Sequence, residues 1–148
     1  QARELGFKGG FIVMDQAKLD EMAAVAGGLQ VLEGAVGTLP LVYDENERAK
    51  DFVKRFRDIY GRDPSSEMSL NYFAAHLFME AMKHAGTASD AHAIRANLAK
   101  ALETLPEPRN PHGYSEIDEN GGLGADTPVA QVLNGQIKAV RTSEIMGR

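Results

Sequence analysis

Apolar residues change their spacing along the chain, and each change predicts a different kind of element. Gln1 to Gly6 reads as the last turn of a helix, with Gly6 as its left-handed terminator. Phe11-Ile12-Val13-Met14 is an unbroken apolar run, the pattern of a short buried parallel strand. Lys18 to Ala26 carries Leu19, Met22 and Val25 or Ala26 on one side, which predicts a helix ended by Gly27-Gly28. Leu32 to Leu39 reads as a second strand closed by Pro40. Strand, helix and strand within roughly thirty residues make a βαβ unit.

From Asp44 the period becomes helical. Ala49, Phe52, Val53, Phe56, Ile59 and Tyr60 fall opposite the charged Lys50, Lys54, Arg57 and Asp58, and Gly61 with Asp63-Pro64 ends that helix. Met68 to Ala85 is the most apolar stretch, with Leu70, Phe73, Ala74, Leu77, Phe78, Ala81 and Met82. It is expected to be a largely buried helix, with His76, Glu80, Lys83 and His84 as its one wet stripe. A third helix starts at Ser89 or Asp90 and turns Ile94, Leu98, Ala101 and Leu102 inward. Pro106 to Pro111 is loop, Tyr114 to Ile117 a short strand, and Asp118 to Gly122 a turn. Asn134-Gly135 between Val129–Leu133 and Gln136–Val140 is the strongest local signal, a two-residue β-hairpin. The fold class is α/β: a βαβ unit, a helix-rich middle and a C-terminal β-hairpin.

Composition narrows the function classes without choosing among them. The chain has 148 residues, 43% of them hydrophobic and 25% charged, which are ordinary globular values. A net charge of −5 with dispersed Lys and Arg argues against nucleic acid as a partner. With no cysteine, thiolate chemistry and disulfides are excluded. A lone terminal helix turn has little stability of its own. The opening residues therefore read as the continuation of an upstream segment that would include any export signal.

Four stretches together resemble the leucine/isoleucine/valine-binding proteins of ABC importers. They are Gln1 to Phe7 with Phe11 to Asp15; Glu33-Gly34-Ala35-Val36 with Pro40; Tyr60 to Pro64 with Asn71 to Ala75 and Ala85-Gly86; and Ile117 to Gly121 with Val132 to Gln136. The resemblance implies the C-terminal part of a two-lobed, type I periplasmic-binding fold with ligand between the lobes. It places residues 1–39 in the C-terminal lobe, 40–125 in the N-terminal lobe, and 126–148 back in the C-terminal lobe. Thr38, Leu39 and Pro40 would then be hinge residues. It further implies a periplasmic or extracellular location, a small-molecule ligand such as an amino acid or small carboxylate, and ABC permease subunits as membrane partners. The rest of its own chain, or self-association, would cover what this part leaves open. A ligand-sensing regulator or receptor domain on the same fold is the alternative, and an α/β hydrolase a more distant one.

Asp15 stands just after the first strand, where open α/β sheets bind ligands. The resemblance gives its carboxylate the ligand's α-ammonium group, and capping of the next helix is compatible with that role. Gln16 is a second ligand-binding candidate. Met14 and Lys18 depart from the small residues common there, which leaves the ligand open. His76 and Glu80, at i and i+4, offer two metal donors without a third, so no metal or other cofactor is expected. Asp118 and Asn120 start like a calcium loop, but position twelve is Val129 and not Glu. The adjacent pairs Asp44/Glu45 and Asp118/Glu119 are expected to be solvated turn residues, and no nucleophile motif accompanies them.

Overall fold

The computed structural model describes residues 1–14, 18–126, 128–141 and 143–144. Along the chain run β1 (Ile12–Val13), α1 (Leu19–Ala26), β2 (Val36–Thr38), α2 (Glu47–Tyr60), α3 (Ser66–Ala85), α4 (Ala91–Ala96), α5 (Leu98–Thr104), β3 (Glu116–Ile117), β4 (Leu123–Gly124), β5 (Pro128–Leu133) and β6 (Gln136–Arg141). They divide between two compact units, one of Gln1–Asp44 with Pro128–Arg148, the other of Glu45–Thr127.

In the first unit a sheet of order β1-β2-β5-β6 is built from two distant parts of the sequence. β1 and β2 are parallel, with Ile12 opposite Val36, and α1 lies between them in sequence, so the predicted βαβ unit is present. β2 is antiparallel to β5, and β5 to β6. Its core gathers Val13, Leu19, Ala23, Leu32, Ala35, Ala130 and Val132. Arg3 fastens the opening turn: its guanidinium sits over the Phe11 ring at 4.6 Å and donates to the Phe7 and Gly9 carbonyls at 2.8 Å each. Asn134 and Gly135 have φ of 53° and 68°, the left-handed pair that a two-residue turn between twisted strands requires.

Three expectations for this unit need correction. The second strand is Val36–Thr38 and not Leu32–Leu39, because Leu29–Leu32 coils into a 3-10 turn that buries Leu32. β1 is not buried on both faces. Successive strand residues point to opposite sides, so Val13 enters the core while Ile12 is 84% and Met14 75% exposed. On α1 the inward residues are Leu19, Met22 and Ala23, whereas Val25, two residues beyond Ala23 and on the opposite side, is 90% exposed.

The second unit is mostly helical. Asn46, Ser65 and Asp90 each use a side-chain oxygen to cap the helix that follows, and left-handed Gly61 and Gly86 end α2 and α3. Its core packs Phe73, Leu77 and Ala81 of α3 against Ile94, Ala101, Leu102 and Leu105. α3 is less buried than its composition suggests. Ser69, Phe73, Leu77 and Ala81 form one buried row at a spacing of four, but Leu70, Phe78 and Met79 are exposed. His76, Glu80 and His84 of the expected wet stripe are instead half-buried. The third helix is two helices: Asn97 breaks it, with φ −104° and ψ 4°, while its side-chain amide donates to the Ala93 carbonyl at 2.9 Å. Just beyond the expected turn, Leu123-Gly124 is a strand that pairs with Glu116-Ile117. The Asp118 carboxylate makes this possible by accepting from the Asn120 and Gly122 amides at 2.9 and 2.6 Å.

Candidate functional site

The parallel pair β1–β2 places the candidate site. Its strands approach so closely that a Cβ added at Gly37 would lie 2.8 Å from the Val13 carbonyl oxygen and 3.1 Å from the Val13 Cβ. Glycine is therefore the residue that lets β2 lie against the carboxyl end of β1. From there the chain runs through Met14 to Lys18, the N-cap position of α1. Asp15 and Gln16 lie in this stretch, outside the described residues. The amino end of a helix carries main-chain N–H groups with no partner inside the helix, which favour an anionic group. In α1 the acidic Asp20 and Glu21 already sit at that end, and Asp20 accepts from the Glu21 amide at 3.0 Å.

Thr38, Leu39 and Pro40 fall inside the first unit. Thr38 is the last residue of β2 and pairs with Val129; Leu39 packs on the core; Pro40 is buried. The unit continues to Asp44, which overturns the expectation of a solvated acidic turn. Asp44 is 7% exposed, and its Oδ1 accepts from Arg141 Nη2 at 2.8 Å. Nothing local announces this partner, which stands on the last strand. Glu33 holds a similar long-range grip, its carboxylate accepting from the Asn134 and Gly135 amides at 2.8 and 3.0 Å.

In the second unit the suspected donor pair is not assembled around a common point. His76 stacks edge-on against Tyr72, with ring centroids 4.5 Å apart, and its Nδ1 is buried without a hydrogen-bond partner among the described residues. Burial, then the positive charges of Arg109 and Lys83, lower its pKa below the ordinary histidine value. Glu80 instead pairs with Lys83 at 2.8 Å, and His84 Nε2 meets the Thr104 hydroxyl at 2.8 Å. Phe52, Phe56, Ile59, Tyr60, Met68 and Tyr72 line an open groove of about 390 Å³. The helical period of α2 identifies Ile59 and Tyr60 as apolar-face residues, but not that they stay exposed.

A family described as periplasmic binding protein matches residues 1–136. A leucine-binding protein from Thermotoga maritima superposes with a TM-score of 0.65 at 30% identity, over 95% of this chain and 39% of its own. An ABC transporter substrate-binding protein from Desulfitobacterium hafniense gives 0.59 at 24% identity, over 94% and 38%, and shares the fold. This chain thus spans about two-fifths of the length of either structure. Among curated proteins none matches it.

Proposed function

Because this chain belongs to the periplasmic binding protein family, we propose that it is part of the solute-binding component of an ABC importer, taking an amino acid or a related small carboxylate outside the cytoplasm. The observation that carries this reading is the parallel β1–β2 pair, whose carboxyl end leads directly into the amino end of α1. Open α/β sheets bind ligands at that end. The ligand's ammonium group would find Asp15 there. The chemistry is recognition, and permease subunits in the membrane would receive the loaded protein. In this reading the first unit belongs to the C-terminal lobe and the second to the N-terminal lobe.

The test is made on the full-length protein. Thermal-shift measurement against a panel of amino acids and small carboxylates should identify a stabilising ligand, and calorimetry then measures its affinity. Asp15→Ala should weaken an amino-acid ligand by roughly ten- to a hundredfold, the loss of a charge-assisted contact of about 1.5–3 kcal/mol. Unchanged affinity would leave Asp15 without a ligand role. Chemical turnover of a panel compound would overturn the assignment as a binder.

A further inference from the structure

Resting on the reading of the two units as lobes that close on a ligand, we propose that an Asp44–Arg141 latch confines bending of the first connection to Glu45. Asp44 is the last residue of the first unit and Glu45 the first of the second. The Asp44 side chain is 5% exposed, the deepest carboxylate in a described ion pair, and Arg141, at the end of β6, is 25% exposed. By contrast the pairs Lys50–Glu47 and Lys54–Asp58 on α2 are open to water on both sides and hold little. A carboxylate buried as deeply as Asp44 is costly to leave without its cation, so this pair resists opening.

The segment behind the latch is already compact. Pro40 and Leu41 are buried, the Tyr43 amide donates to the Pro40 carbonyl at 3.0 Å, and the Asp44 amide to the Leu41 carbonyl at 3.0 Å. Residues 40–44 are therefore a short coil attached at one end through β2 and at the other through Arg141. Immediately beyond the joint, Asn46 caps α2, its Oδ1 accepting from the Arg48 amide at 2.9 Å. Asp44 is tied to β6 and Asn46 to α2, which leaves exposed Glu45 as the one residue between two fixed points. The turning point this assigns lies beyond Thr38, Leu39 and Pro40, all of which are held within the first unit's structure.

Amide hydrogen exchange on the full-length protein, followed by NMR, tests the latch without any ligand. In the unmodified protein the amides of Tyr43 and Asp44 should exchange at least about tenfold more slowly, relative to their intrinsic rates, than that of Glu45. Asp44→Asn and Arg141→Gln should each accelerate positions 43 and 44 by at least about tenfold, leaving Ala130 to Val132 of β5 unchanged. The double variant should add nothing to either single change. Positions 43 and 44 exchanging as fast as Glu45 in the unmodified protein would overturn the proposal, even were neither variant to fold. Equal acceleration of β5 would overturn it too, since the pair would then serve general stability only. Because no ligand enters the measurement, failure of the solute-binding reading leaves this result standing, and the reverse holds as well.

Discussion

The two units solve the problem of a small core in opposite ways. The first draws its sheet from segments far apart, with Thr38 beside Val129 and Glu33 gripping the turn at Asn134-Gly135. Its buried residues are mainly small: two alanines from the βαβ region, one from β5, and Val and Leu around them. The second is one continuous stretch whose helices carry their own caps and whose core centres on Phe73. Local contacts are inexpensive in chain entropy, and distant ones must first close a long loop. The second unit should therefore tolerate loss of the first better than the first tolerates loss of its partners.

The sharpest way to break the comparison is Phe73→Ala. Phe73 is 2% exposed and stacks near Tyr114 at 4.9 Å, so truncation should cost about 3–5 kcal/mol. Hydrogen exchange should show α3 and α5 opening while β5 and β6 stay protected; joint opening would mean that the units are one cooperative structure. Gly37→Ala should cost about 1–3 kcal/mol in the first unit alone, because the new methyl meets the Val13 main chain. Urea denaturation followed at β2 and at α3 separates the two responses. Gly135→Val should lower stability by at least about 1 kcal/mol, since a β-branched residue resists a φ of 68°. A melt that does not move would contradict the hairpin's left-handed geometry.

The smallest expected effect depends on pH and belongs to the second unit. His76 has a lowered pKa when folded, so the unfolded chain takes up the proton first as pH falls below the ordinary value of about 6.5. Stability should decline from there down to the folded pKa and level off below it. Comparing melting temperatures of the parent and His76→Gln over that range isolates the contribution. Parallel curves would show that His76 does not titrate differently in the folded state.

The same contrast explains what was legible in the sequence. In the second unit the helix start at Asp90 and the stops at Gly61 and Gly86 were readable, because capping is decided within a few residues, whereas the caps Asn46 and Ser65 emerge only in the structure. The hairpin was readable for the same reason, as was the family resemblance, which the family match and the leucine-binding neighbour bear out. The extent of β2 was not, since its ends depend on Phe11, Val129 and Val132, which no local window contains. Nor was the burial of Asp44, whose partner Arg141 stands 97 residues away. The apolar face of α3 looked uniform in sequence; only packing decided that Phe73 is buried and Phe78 is not. Asp15 and Gln16 rest on sequence reasoning and resemblance alone, being outside the described residues.

Interleaving of the first unit around the second has a consequence for the order in which the protein takes shape. A chain delivered amino end first, from a ribosome or through an export channel, presents β1 and β2 early and their neighbour β5 only after residues 45–127 have emerged. The later-made helices find their core neighbours within their own unit and can settle, whereas β2 must wait with the main chain of Val36, Gly37 and Thr38 unpaired on its β5 side. During that interval β1 and β2 are less finished than the helices made after them, and an unpaired strand edge is the kind of surface that sticks to other chains. Of the two units, the first therefore gives holdase chaperones more to protect than the second.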